Sequence, residues 1–174
     1  MLAPFNLQKW INDNRDLLKP PISNKNLYVE AGDFIVMIVG GPNARKDFHY
    51  NETEELFYQI EGDILVKIQQ DGKVVDVPIR EGEIFLLPPK TPHSPIRGAN
   101  TVGLVIEKVR RNSDYKDGLM WFCEKCNTPL QDYKFNLDNI EVDFLSRFKA
   151  FYTSEEMRTC KNCGNVMEAD ERFI

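Results

Sequence analysis

Each of the chain's two histidines lies in a segment that opens on glycine. The first segment runs from Gly41 to Gly62 and holds His49 and, six residues on, Glu55. The second is Gly82-Glu-Ile-Phe-Leu-Leu-Pro88-Pro-Lys-Thr-Pro-His93-Ser-Pro-Ile-Arg97. Two imidazoles and one carboxylate form a metal-ligand set. On one side of a cation they leave about three positions open, the facial arrangement that suits non-haem Fe(II) oxygenases. A chelating substrate can fill two of these positions and O2 the third. Mn, Co and Ni suit the same donors. The competing reading makes both histidines satisfied structural residues, which leaves their matching placement unexplained.

Three further residues belong to the same chemistry. Arg45 lies four residues before His49 and Arg97 four after His93. On an extended segment i and i+4 share a face, with Cα atoms about 13 Å apart. Two guanidiniums reaching inward would hold the anionic end of a small flat molecule, because a planar fork matches a carboxylate with two charge-assisted hydrogen bonds. Alternatively, both are solvated surface arginines. In Val102-Gly-Leu-Val-Ile-Glu-Lys-Val109, alternation puts Gly103, Val105, Glu107 and Val109 on one face. A carboxylate on an inward face needs a partner; Glu107 either accepts a substrate proton there or points to solvent at the strand end.

The four cysteines fall in two pairs, Cys123-x2-Cys126 and Cys160-x2-Cys163. This is the spacing of two metal knuckles, and Gly164 supplies the backbone freedom such a turn uses. Four thiolates form a closed tetrahedral set for structural Zn or a rubredoxin-like Fe. Disulfides are the weaker alternative, because the chain reads as intracellular and its thiols as reduced.

The elements that must position these groups follow in chain order. Residues 6–18 are expected to be helical: Leu7, Trp10, Ile11, Leu17 and Leu18 form one stripe, Asn6 is the cap, and Lys19-Pro20-Pro21 is the stop. Trp10 reads as core. Residues 27–109 read as short strands, with 34–39 buried, a hairpin turn at 61–63, another at Asp71-Gly72, Pro78 at an edge, and strands at 84–87 and 101–109. That pattern predicts an antiparallel sandwich or barrel. Residues 110–118 read as a polar linker, and 142–151 as a helix with Phe144, Leu145, Phe148 and Phe151 on one side. The length of 174 residues suits one domain with a small appendage, and the net charge of −5, without a basic run, argues against nucleic acid. No signal pattern and no apolar run of about 20 residues is present, so a cytoplasmic protein without a membrane partner is expected.

The first stretch resembles the first motif of the cupin superfamily, Gly-x5-His-x-His then Glu-x6-Gly, at Gly41, His49, Glu55 and Gly62. Asp47 replaces the first histidine, and the gap to Glu55 is longer. The second stretch resembles the second cupin motif at Gly82, Pro88 and His93, with Lys90 and Arg97 in place of a glycine and an asparagine. Taken whole, the chain is similar to the 3-hydroxyanthranilate 3,4-dioxygenase family, in the form with a C-terminal four-cysteine site. The likeness is carried by Leu-Leu-Lys-Pro-Pro (17–21) with Asn24, Val-Gly-Gly-Pro-Asn (39–43), Arg45 to Glu55, Leu-Leu-Pro-Pro (86–89), His93-Ser-Pro95 to Arg97, Val105-Ile-Glu107, Trp121 and the cysteine pairs.

The resemblance implies a mainly β cupin jelly-roll barrel (residues 1–110 with a short N-terminal helix), a linker (111–118) and a small metal-binding segment (119–174). It implies Fe(II) on His49, Glu55 and His93, with Fe or Zn on Cys123, Cys126, Cys160 and Cys163. Arg45, Arg97, Glu107 and Asn24 would meet the substrate, with Glu107 and Arg45 catalytic. The reaction implied is ring opening of 3-hydroxyanthranilate by O2 to 2-amino-3-carboxymuconate semialdehyde. That product closes without enzyme to quinolinate, which places the reaction in the kynurenine route to NAD. A homodimer is also implied. The competing readings are another metal cupin, such as a thiol dioxygenase or sugar isomerase, and a non-catalytic cupin that senses a small ligand.

Overall fold

The computed structural model describes residues 3–20, 23–137 and 140–174. Met1, Leu2 and Pro21, which entered the N-terminal readings above, lie outside the described residues.

The N-terminal helix is shorter than its apolar stripe suggests. α1 spans Leu7–Asp13, and Asn6 caps it by accepting from the Lys9 amide at 2.8 Å. The chain then breaks at Asn14 into a 3-10 turn, Arg15–Leu18. Ile11 and Leu18 are buried against Ile38 and Val102 of the barrel, with Trp10 packed at the side.

Eleven strands follow among the described residues: β1 Asn24–Asn26, β2 Phe34–Gly40, β3 Phe48–Asn51, β4 Glu55–Glu61, β5 Ile64–Gln70, β6 Lys73–Ile79, β7 Ile84–Leu87, β8 His93–Arg97, β9 Val102–Lys108, β10 Asp117–Phe122 and β11 Pro129–Phe135. They form two antiparallel sheets, ordered β1-β2-β9-β4-β7 and β11-β10-β3-β8-β5-β6. This is the expected mainly β, cupin-like jelly roll. Its core lies between the layers and contains Phe57, Ile64, Val66, Ile68, Ile79, Leu87 and Val105.

Several local expectations resolve differently. Residues 61–63 do not close a hairpin, because β4 and β5 belong to different sheets. A register shift between Gln59 and Glu61, followed by Gly62 at φ +66°, turns the chain from one layer to the other. Asp71-Gly72 does close one: β5 pairs with β6, and both residues have positive φ. Pro78 sits on β6, an edge strand, as a residue without an N–H must. Strand 34–39 is buried only toward its end, since Phe34 remains 58% exposed.

The larger correction concerns the linker at 111–118. Asp117 and Gly118 already belong to β10, which pairs with β3 on one side and β11 on the other. Asp117 is fully buried and Arg110 nearly so. Their charges made the stretch look solvated, but they satisfy each other inside. After β11, α2 spans Ile140–Thr153 and α3 spans Glu155–Arg158. Trp121 of β10 stacks on Phe151 of α2 at 4.2 Å and donates to Tyr152 Oη at 3.3 Å, anchoring a second core with Leu119, Phe135 and Met167. Leu145, expected on the apolar side of that helix, is 43% exposed. No helix among the described residues is long and apolar enough to cross a membrane.

Candidate active site and metal centres

His49 and His93 are direct cross-strand partners, the registered pair where β3 meets β8. Their ring centroids are 5.2 Å apart. Glu55 comes from β4 in the opposite sheet, so the three candidate ligands converge between the layers. Glu55 Oε2 lies 3.1 Å from His93 Nε2 and 4.0 Å from His49 Nδ1. One donor atom from each residue falls within 4.8 Å of the other two, and all three residues are buried.

The outward nitrogen of each ring is also held. His49 Nε2 is 2.8 Å from Asp117 Oδ1, and His93 Nδ1 is 3.1 Å from the Thr91 carbonyl oxygen. An oxygen on the outer nitrogen fixes the tautomer and aims the free lone pair inward, which is how metal-binding imidazoles are supported. Burial lowers the His49 pKa against the pull of Asp117, favouring the neutral ring that a metal requires. Burial also opposes the Glu55 charge, but the facing His93, then His49 and Arg110, hold it well below the usual carboxylate range. Asn51 Nδ2 donates to Glu55 Oε2 at 3.1 Å. Two imidazole nitrogens and one oriented carboxylate fit a divalent cation.

Beyond the ligands lies Arg97, the last residue of β8. It is 3% exposed, and among the described residues no carboxylate reaches it as an ion pair. Its Nη1 donates to Gln59 Oε1 at 3.2 Å, and Gln59 Nε2 donates in turn to the Glu61 carbonyl at 2.9 Å. Burial pushes the guanidinium down to about 10; Glu55 offsets part of this and the like charge of Arg45 adds to it. Gly103 makes room for this pair, since a Cβ there would stand 2.7 Å from Gln59 Oε1 and 2.9 Å from Arg97 Nη1.

Arg45 lies in the loop before β3, so its segment is not the strand that the four-residue spacing assumed. Its Nη2 is 2.5 Å from Asp47 Oδ2, with Nε 3.3 Å from Oδ1. Asp47, at the position of the missing cupin histidine, is thus engaged with Arg45. Glu107 faces inward on β9, as alternation predicted, and stands opposite Glu55. Burial, with the Glu55 charge behind it, raises its pKa to about 7 against the pull of Arg110. Arg110 Nη1 is 2.8 Å from Glu107 Oε2, yet the contact is not aligned as a hydrogen bond and Oε2 is left without one. A buried carboxylate oxygen in that condition can accept a proton.

Asn24 is exposed on the edge strand β1 opposite Val39, and among the described residues it makes no hydrogen bond to the ligand set. Asn51, Gln59, Arg110 and Asp117 went unread in the sequence. Asn51 and Gln59 share strand faces with His49 and Glu55, so period-two alternation alone marks them as inward polar residues. Phe144 of α2 completes the wall, with its ring 5.5 Å from that of His49.

The cysteines form a second centre. All four thiols are free, and their sulfurs lie within 4.8 Å of one another. Cys123 and Cys163 Sγ are 3.6 Å apart and Cys126 and Cys160 Sγ 3.5 Å, far beyond the ~2.05 Å of a disulfide. The two knuckles match in backbone: the Asn127 amide donates to the Cys123 carbonyl and the Gly164 amide to the Cys160 carbonyl, both at 2.8 Å. Asn127 and Gly164 also share positive φ. An all-thiolate set with no open position fits a structural metal.

A sequence model of the 3-hydroxyanthranilic acid dioxygenase family matches residues 1–152. A 3-hydroxyanthranilate 3,4-dioxygenase of Xanthomonas campestris pv. campestris is 51% identical over 173 residues, covering 99% of this chain and 97% of that one. Another, from Bacillus cereus, is 45% identical over 167 residues, covering 95% and 92%. Among solved structures, a cupin-2 domain containing protein from Shewanella frigidimarina aligns with a TM-score of 0.47 at 19% identity, covering 60% of this chain and 100% of that one. With a family match over most of its length and relatives of this identity from end to end, the chain belongs to the 3-hydroxyanthranilic acid dioxygenase family.

Proposed function

We propose that this chain opens the ring of 3-hydroxyanthranilate with O2, both oxygen atoms entering 2-amino-3-carboxymuconate semialdehyde, which then closes to quinolinate without enzyme. The observation that carries the reading is Arg97: a buried guanidinium that no carboxylate among the described residues reaches as an ion pair, beside a three-residue ligand set. Such a group suits the acid of an aromatic substrate, and a neutral sugar would leave its charge buried and unmatched.

His49, Glu55 and His93 would hold Fe(II), which supplies a Lewis-acid centre with open positions where the substrate and O2 come together. The chain's own residues do the rest. Arg97, fixed by Gln59, binds the substrate carboxylate. Arg45, fixed by Asp47, adds a second positive charge. Glu107 takes the proton of the ring hydroxyl or amine at its carboxylate, and a pKa raised to about 7 matches that task near neutrality. Phe144 and the surrounding strands exclude water. Cys123, Cys126, Cys160 and Cys163 would hold Zn or Fe as a structural clasp. The family reading also implies a homodimer.

The test is oxygen uptake by anaerobically iron-loaded protein on adding 3-hydroxyanthranilate, expected at one O2 per substrate. Arg97→Ala should raise KM by at least ~30-fold, on the basis of ~2–5 kcal/mol for a truncated buried charge pair, while iron stays bound. Unchanged substrate binding in that variant would rule the assignment out.

A further inference from the structure

Asp117 and Arg110 are buried charged residues beside the ligands and touch no substrate in the reaction proposed above. Asp117 is 0% and Arg110 3% exposed. Burying such a pair is a poor route to stability, because desolvation offsets the attraction. Their bonds are directional instead. Arg110 Nε donates to Asp117 Oδ2 and Nη2 to Oδ1, each at 2.8 Å, in a two-point fork. The remaining nitrogen, Nη1, donates to the Lys108 carbonyl at 2.9 Å and lies 2.8 Å from Glu107 Oε2. Asp117 Oδ1 also faces His49 Nε2 at 2.8 Å. A continuous buried chain thus runs His49–Asp117–Arg110–Glu107, joining one candidate ligand to the candidate proton acceptor.

We propose that Asp117 and Arg110 are positioning residues: Asp117 sets the His49 ring so that Nδ1 faces Glu55 and His93, and Arg110 locks both Asp117 and Glu107. The inference rests on the metal-site reading given above. Asp117, as an acceptor only, takes the Nε2–H and leaves the lone pair on Nδ1. Without Arg110, Asp117 could turn away from the ring and Glu107 would lose its cationic neighbour at 2.8 Å.

The test uses the full chain and Mn(II), a hard ion that prefers the nitrogen and oxygen donors to the thiolates, followed by loss of the free-ion EPR signal. Asp117→Asn is expected to raise the Mn(II) dissociation constant ~10–100-fold. Arg110→Lys keeps the charge but loses the fork, and is expected to fall between wild type and Asp117→Asn. Lys73→Ala, on the exposed start of the edge strand β6, should stay within ~2-fold of wild type. If Asp117→Asn lowers thermal stability yet binds Mn(II) as wild type does, the residue is merely structural and the proposal fails. Wild-type protein supplies a reading independent of variant folding: in the Zn(II)-loaded chain with 15N-labelled imidazoles, His49 should carry its proton on Nε2 with slow solvent exchange. A proton on Nδ1 would overturn the assignment. Wild type that binds no Mn(II) would refute the metal site itself, which distinguishes that failure from this one.

Discussion

Glu55 and Glu107 stand directly opposite each other across β4 and β9, both buried. Like charges in that relation are destabilising. Their surroundings differ: His93 and His49 hold the Glu55 pKa low, while burial and the Glu55 charge push Glu107 up to about 7. On the function proposed above, one carboxylate serves as a ligand and the other as a proton acceptor.

That asymmetry has a stability signature in metal-free protein. Glu107 rises from an ordinary 4.5 to about 7 on folding. The folded state therefore holds the proton more tightly, so stability is full below about 4.5 and falls as pH rises through about 7. The loss is on the order of 3 kcal/mol. Glu107→Gln removes this dependence. Urea midpoints at pH 5 and pH 8 are expected to favour the variant progressively as pH rises; parallel midpoints at both pH values would show that Glu107 is not perturbed.

Gly103 offers a probe of substrate binding that leaves the metal alone. A methyl at this position meets the far ends of Gln59 and Arg97, which are flexible side chains. Gly103→Ala should therefore fold, at a cost of about 1–2 kcal/mol, but with the guanidinium displaced. KM is expected to rise about tenfold with kcat less affected. An unchanged KM in steady-state kinetics would show that Arg97 does not set substrate affinity.

Lys90 occupies the position where the second cupin motif has glycine, and its φ is +63°. A left-handed lysine costs ~1–2 kcal/mol, partly offset by the greater unfolded-state freedom of glycine. Lys90→Gly is expected to gain about 0.5–1 kcal/mol in urea unfolding. A loss of stability would mean that the lysine side chain contributes a contact worth more than the strain.

The ligand set and its neighbours were legible for different reasons. His49, Glu55 and His93 announced themselves because metal-binding residue types are scarce and their spacing is unusual. Arg97 and Glu107 were legible because period-two alternation fixes which way a strand residue faces. Asp117 and Arg110 were not, because charged residues near Asn112, Ser113 and Asp114 look like solvated linker until a partner is known. The corner at 61–63 misled for a related reason. A glycine turn between two strand patterns looks the same whether the strands pair or part, and only the destination of β4 and β5 distinguishes the cases.

The thiolate knuckles should unravel from one end. Cys160→Ser opens a closed four-sulfur set, and the first knuckle is also tied to the barrel through Asn127, whose Nδ2 donates to Gln69 Oε1 at 2.8 Å. The expected outcome is loss of the sulfur-bound metal, with faster hydrogen exchange at 160–166 and retained protection at 119–122. Full protection throughout would mean that the packing around Trp121 holds the segment without metal.

The placement of β10 decides what can be cut away. Because that strand lies along the flank of β3, stripping off everything after residue 110 would bare a row of amides and carbonyls next to His49, the kind of raw margin that recruits other chains into aggregates. A minimal version of the fold must keep this flanking strand, even if every sulfur is replaced.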